Sequence, residues 1–193
     1  MKKILQQKEK VLREIAREVP VSDIKTKKIQ TILKEMSSAL LSQDDGVAIA
    51  APQIGYSLRI FVVSGKIFTA EFLGRGLSQS GGPDGSAPRT HGDSDPAREK
   101  SVVRDLVFIN PKISKLSRDK EWVPEGCLSV RWLYGNTFRS KKATVTAYDE
   151  NGRKFVRGTS GLLAQIFQHE TDHLVGTLFI DHAKDIKEEL PTK

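Results

Sequence analysis

From Ser160 the chain reads Ser160-Gly161-Leu162-Leu163-Ala164-Gln165-Ile166-Phe167-Gln168-His169-Glu170-Thr171-Asp172-His173-Leu174-Val175-Gly176. A serine able to cap free backbone N–H groups opens this stretch and a glycine stops it, which predicts a helix of about four turns. Leu162, Ile166, His169 and His173 fall on one face, with Leu163, Phe167 and Leu174 alongside. Apolar residues therefore cover enough of the circumference to predict a largely buried helix. Two imidazoles in such surroundings need partners.

His169 and His173 are four residues apart, so both rings project from one face a single turn apart, where they can bind one divalent ion. Glu170, one step round the helix, sits beside that ion as a potential base. A His-Glu-x-x-His pattern is expected by chance only about 0.005 times in a chain of this composition. The plainer alternative is a pair of core histidines satisfied by hydrogen bonds. A tetrahedral catalytic site takes a third protein ligand and keeps the fourth position for water. Beyond the helix pair the candidates are His91, His182 and Cys127, the single cysteine. Cys127 lies in Pro124-Glu125-Gly126-Cys127-Leu128-Ser129-Val130, where Gly126 lets backbone approach a bound molecule closely. A solitary cysteine is also commonly a small buried hydrophobe, and the residues alone leave the third ligand open.

Upstream, Val21-Ser22-Asp23 predicts a helix start, and Ile24, Ile29, Ile32, Leu33, Met36 and Leu40 supply an amphipathic spacing that runs to Asp44-Asp45-Gly46. The small-residue stretch Gly46 to Gly55 follows. Leu58 to Val63 predicts a buried strand and Leu106 to Ile109 another, ending before Asn110-Pro111. Thr144 to Tyr148 and Arg153 to Arg157 form a hairpin around Asn151-Gly152. Strands from both halves with helices at each end predict an α+β fold, its antiparallel sheets packed around the C-terminal helix.

The 193 residues are enough for one domain with a single sizeable core. Residues 74–100 break the pattern. Gly, Ser and Pro fill nearly half of them and apolar residues are almost missing, which predicts a surface insertion, flexible or acting as a lid. No apolar run approaches the ~20 residues of a membrane span. The basic N-terminus, Met1 to Lys10, lacks the apolar core of an export signal, so secretion is not expected. One cysteine cannot close an intrachain disulfide, and a reducing compartment follows as the default. Net charge is +7, which favours anionic partners without naming one. The main basic cluster is Lys2, Lys3, Lys8, Lys10, Arg13 and Arg17. With aromatics at 7%, the sequence shows no platform for stacking unpaired bases.

Three segments, Gly46 to Gly55, Glu125-Gly126-Cys127-Leu128-Ser129 and Gln168-His169-Glu170-Thr171-Asp172-His173-Leu174, stand in the order and approximate spacing of the signature motifs of peptide deformylases. The resemblance runs from about Val11 to Asp181 and leaves the insertion unmatched. It implies that Cys127, His169 and His173 are metal ligands, with iron(II) usual and zinc, nickel or cobalt able to take its place. It implies that Glu170 is the general base and that the Gln53 amide and the Leu128 N–H are donors to the formyl oxygen. Gly126, Val47 and Ala48 match backbone positions that hold the substrate peptide, and Val123, Leu162 and Ile166 match the pocket for the methionine side chain. Glu125 and Arg139 resemble a pair that braces the cysteine loop, and Asp172 is expected to orient a ligand histidine. The implied reaction is hydrolysis of the formyl group on the initiator methionine of nascent peptides, in bacterial-type cytoplasm or an organelle, with attraction to the ribosome near the peptide exit and no specific DNA or membrane partner. Two positions depart from the family pattern. Ala48 stands where glycine is usual, adding a methyl group beside the peptide, and Gln165 brings an amide to a wall that is often apolar. Two other readings are a zinc endopeptidase of the His-Glu-x-x-His type, and an inactive basic protein associated with the ribosome or RNA.

Overall fold

The computed structural model describes residues 2–69, 72 and 104–191. The segment 74–100 lies outside the described residues. Two sheets organise the rest. Strands β1 (Ala48–Ala50), β2 (Ile60–Val63), β3 (Leu106–Leu116), β6 (Lys142–Tyr148) and β7 (Lys154–Ser160) form a five-stranded sheet in the order β1-β2-β3-β6-β7. Strands β4 (Lys120–Gly126), β5 (Leu133–Ser140) and β8 (Lys184–Glu188) form a three-stranded sheet in the order β4-β5-β8. Every named pairing is antiparallel. Helices α1 (Lys27–Leu41) and α2 (Gly161–His173) complete an α+β architecture.

The α2 helix lies where its sequence predicts. Ala164, Ile166, Phe167 and Leu174 pack into a buried cluster with Phe61, Val63, Phe108 and Val145 from the larger sheet. At its centre Phe61 and Phe108 stack at 4.5 Å, and Phe167 meets Phe108 edge-on at 5.0 Å. Ser160 makes no capping bond. The stop at Gly176 has a physical cause, because φ is +75° and a Cβ there would sit 2.5 Å from the Arg13 carbonyl oxygen. Only glycine fits so close an approach.

Several boundaries differ from expectation, among them the start of β2 at Ile60 and not Leu58. Val21–Asp23 forms a single 3-10 turn, not the first turn of α1. The Thr26 hydroxyl donates to the Asp23 carbonyl at 2.6 Å and closes that turn before the helix begins at Lys27. The same helix ends at Leu41, short of Asp44, where the Ser42 hydroxyl takes the Ala39 carbonyl at 2.7 Å. Strand β3 continues through Asn110-Pro111 to Leu116, with a register shift at that point. Asn110 has φ +51°, and its buried amide accepts from the Val19 N–H at 2.8 Å and donates to the Val19 carbonyl at 2.7 Å. The break in the ladder is thereby satisfied by side chain in place of strand.

Candidate metal centre

Strand β4 delivers Glu125 and Gly126, and the chain turns directly after them, so Cys127 leaves the smaller sheet pointing at helix α2. Two donors converge on its sulfur, the Ser129 backbone N–H at 3.4 Å and the Gln53 side-chain amide at 3.5 Å. His173 Nε2 stands 3.3 Å from Sγ. The Sγ of Cys127 and the ring nitrogens of His169 and His173 all lie within 4.8 Å of one another, a grouping that could hold a metal ion, so of the three candidates for a third donor Cys127 is the one that stands beside the helix pair. His182 lies on the far side of Asp172, its Nε2 3.9 Å from that carboxylate, and His91 is outside the described residues.

His169 is aimed by what lies behind it, whereas among the described residues the buried Nδ1 of His173 has no hydrogen-bond partner. His169 Nδ1 meets Glu125 Oε2 at 3.0 Å, which leaves Nε2 as the ring nitrogen that could meet an ion. Glu125 is in turn gripped by the guanidinium of Arg139, with Nε at 2.8 Å from one oxygen and a terminal nitrogen at 3.0 Å from the other. The other terminal nitrogen of Arg139 donates to Asp172 at 2.7 Å. Burial works to raise the Glu125 pKa, but the hydrogen bonds from His169 and Arg139 outweigh it and hold the carboxyl well below the usual range. Asp172 therefore acts at one remove. It holds Arg139, and Arg139 holds the carboxylate that aims His169. Neighbouring helix positions diverge by about 100°, which is why a residue beside His173 in sequence does not face its ring.

Glu170 is 4% exposed and lines the same cavity, and among the described residues its Oε2 has no hydrogen-bond partner. Burial, helped by the negative charges of Glu125 and Asp172 and opposed by His169, pushes its pKa up to about 7. A carboxylate left unpaired in the interior is costly unless something polar meets it. Three soft-to-intermediate donors and one orphaned acidic oxygen together suit a divalent ion with a water beside it.

Gln53 closes a 3-10 turn over Ala51–Ile54, fixed from outside by the Leu5 N–H donating to the Gln53 carbonyl at 2.8 Å. Its side-chain oxygen accepts the Ala50 N–H at 2.8 Å, which sets the amide orientation and turns Nε2 toward the centre. One Nε2 hydrogen goes to Ser129 Oγ at 3.1 Å, and the other is directed at the sulfur over the longer distance given above. Among the described residues no hydrogen bond engages the Leu128 N–H, while its carbonyl is tied to the Gln6 amide at 3.1 Å.

A cavity of about 290 Å³ opens over these groups. Val47, Ala48, Gln53, Gly126, Leu128, Leu162, Ile166, His169 and Glu170 all border it. Val123 does not, being half-buried one residue back, and Pro124 lines that wall instead. The Gln165 amide does not hang free in the pocket either, since it donates to the Pro124 carbonyl at 2.8 Å. Ser129 and Gln6, which position Gln53 and the Leu128 loop, have no role predicted from sequence. The signal for Ser129 was its place two residues beyond Cys127. The rim adds an ion pair between Arg131 and Asp45, with N···O distances of 2.5 and 2.9 Å, and the ring of Tyr134 lying where a Cβ on Gly126 would be.

The chain is similar to known proteins over nearly its whole length. It is 33% identical over 168 residues to a peptide deformylase of Borreliella burgdorferi, covering 84% of this chain and 81% of the relative. It is 34% identical over 181 residues to peptide deformylase 2 of Clostridium acetobutylicum, covering 94% of both. The crystal structure of an Acinetobacter baumannii peptide deformylase with Met-Ala-Ser bound superposes with a TM-score of 0.69 at 26% identity, covering 93% of this chain and 97% of that one. No helix among the described residues is long and apolar enough to cross a membrane. The family model for polypeptide deformylases matches residues 1–189, and with relatives aligned end to end the chain belongs to that family of metal-dependent enzymes, which remove the N-formyl group from nascent peptides.

Proposed function

We propose that Cys127, His169 and His173 hold one iron(II) ion, with zinc, nickel or cobalt able to use the same donors, and that the substrate is the formamide of a formyl-methionyl peptide. The observation that carries this reading is the unpaired buried oxygen of Glu170 beside three convergent ligand atoms. When bound, such an ion supplies Lewis acidity and brings the pKa of water toward neutrality.

The protein's own groups do the rest. Glu170, buried and with its Oε2 unpaired among the described residues, accepts the proton of the attacking water and returns it to the nitrogen as the C–N bond breaks, giving formate and a free amine. Negative charge gathers on the carbonyl oxygen in the transition state. The Gln53 amide, held by the Ala50 N–H and Ser129, and the free Leu128 N–H are fixed in advance to meet it. Strand β1 is an edge of the larger sheet among the described residues, so Ala48 offers backbone groups to an extended peptide, with Gly126 across the cavity, whereas the Val47 carbonyl is already taken by the Ser64 N–H at 2.8 Å. The complex of the Acinetobacter relative with Met-Ala-Ser supports a peptide of that kind. Leu162 and Ile166, a turn apart on α2, supply the apolar wall for methionine, while Val123 stays outside it.

Formate release from formyl-Met-Ala-Ser by protein loaded with iron anaerobically tests the reading. Glu170→Ala is expected to lower the rate by about 10²–10⁴-fold, and a parent protein no faster than this variant ends the proposal. We also infer action near the ribosomal peptide exit, in bacterial-type cytoplasm or an organelle. The net charge of +7 favours attraction to ribosomal RNA, which predicts co-pelleting with ribosomes that weakens as salt rises. Failure to pellet at low salt removes that part alone.

A further inference from the structure

The outward face of the smaller sheet carries a feature that the proposed reaction does not use. Trp122 on β4 and Phe138 on β5 are direct cross-strand partners. Their rings lie 5.1 Å apart, and both side chains are about half exposed, at 48% and 49%. Large aromatic rings normally leave water, yet this pair keeps about half of its surface exposed. A lysine flanks each ring. Lys120 Nζ lies 5.7 Å from the Phe138 centroid, and Lys184 Nζ, from β8, lies 4.8 Å from that of Trp122. Strand alternation turns Glu121 to the opposite face.

We propose that this face binds unpaired RNA, with bases stacking on Trp122 and Phe138 while Lys120 and Lys184 neutralise the flanking phosphates. Exposed rings on an antiparallel sheet with cations at their margins are the arrangement by which single strands are held without reading their sequence. The charge decides between occupants. A second copy of the chain docked face to face would set the two lysines of each copy against those of the other, and an apolar or basic partner gains nothing from them. A strand with a π-face on every base and a charge on every phosphate satisfies both features at once. An exposed cation–π contact is weaker than base stacking, so an arriving base displaces each ammonium from its ring to the neighbouring phosphate. The binding is independent of the proposed reaction; only the choice of RNA over DNA rests on the family reading.

The test uses the metal-loaded full chain and a fluorescein-labelled twelve-nucleotide oligouridylate, followed by anisotropy from 50 to 200 mM salt. Trp122→Ala and Phe138→Ala are each expected to weaken binding about tenfold. Lys120→Ala with Lys184→Ala is expected to reduce the slope of log K against log salt by about 1.4, the value for two phosphates on a single strand. In a Trp132→Phe background Trp122 is the only remaining tryptophan, and its fluorescence is expected to fall as oligonucleotide is added. Deformylation of formyl-Met-Ala-Ser by the two ring variants is expected to match the parent, which shows that they fold. No binding at 50 mM salt overturns the proposal. So does binding that survives loss of both rings, which would locate it in the N-terminal lysines, and so does an equal affinity for a twelve-base-pair duplex.

Discussion

Replacing Arg139 with alanine removes three hydrogen bonds from the interior in one step, two to Glu125 and one to Asp172. The arginine side chain is 9% exposed and that of Glu125 3%, so water does not take over when the guanidinium is gone. Breaking a buried ion pair from one side costs about 3–5 kcal/mol, because the remaining charge is left in place without compensation. Here His169 stays beside Glu125 at 3.0 Å and offsets part of the loss, which puts the expectation near 3 kcal/mol, at the lower end of that range. Against a typical total stability of about 5–15 kcal/mol this is a large fraction. The pair between Lys141 and Asp119 is the internal control. Its separation of 3.2 Å is similar, but its side chains are 42% and 70% exposed, and Lys141→Ala is expected to cost less than about 1 kcal/mol. Urea unfolding of both variants measures the contrast. A second readout follows from geometry: with Glu125 no longer fixed, the His169 ring loses its aim, and metal affinity measured by chelator competition is expected to fall about 10–100-fold. Arg139→Lys, which restores charge without the planar fork, should lie between. If Arg139→Ala unfolds within 1 kcal/mol of the parent and binds metal equally well, the argument that this chain of charges holds the site together is wrong.

Gln53→Ala removes an amide whose orientation is fixed by the Ala50 N–H; kcat on formyl-Met-Ala-Ser is expected to drop about 10²–10³-fold with metal content unchanged. Phe167→Ala empties the centre of the aromatic cluster around Phe61 and Phe108 and is expected to destabilise by about 3–5 kcal/mol in the same urea assay. The hydrogen bond from Arg131 holds the Asp45 carboxyl below its ordinary pKa against an opposing effect of burial. A group whose pKa is lower folded than unfolded stabilises above about pH 4 and loses that contribution as pH falls through the folded value. The parent should therefore lose more stability than Asp45→Asn between pH 6 and pH 3. The difference should stay below about 1 kcal/mol, since the aspartate is more than half exposed. Equal losses would show that the pair contributes nothing.

The parts of the fold that could be read from sequence are those whose side chains carry a period. Helix α2 announces itself through Leu162, Ile166, His169 and His173, and β2 through an unbroken buried run from Ile60 to Val63. The smaller sheet has no such signature. Strand β4 holds Pro124 and three charges, and every residue of β8 is exposed, so backbone pairing with β5 defines these strands where apolar alternation does not. Trp122 and Phe138 were invisible as a pair for the same reason. They are sixteen positions apart, and only the register of β4 against β5 makes them neighbours. Asn110-Pro111 was legible as an interruption but not as one that the strand survives, since its repair comes from Val19, some ninety residues upstream.

The candidate metal centre divides along the same line. His169, Glu170 and His173 share a turn of helix, and 3.6 residues per turn is enough to bring them together. Cys127, Gln53 and Glu125 reach the same point from the smaller sheet and from the 3-10 turn after β1, and no local rule connects them to α2. Their convergence depends on the stacking of the two sheets around that helix, with Arg139 of β5 as the fastening. Each oxygen of Glu125 meets Arg139, and one of them also meets His169, so the pairing of β4 with β5 fixes the direction of the His169 ring on the helix. A slip of β5 by one residue against β4 would turn the Arg139 side chain to the opposite face of the sheet. The register of an otherwise polar, half-exposed sheet is therefore under constraint from the site, and the buried arginine supplies a specificity that the apolar content of these strands is too small to provide.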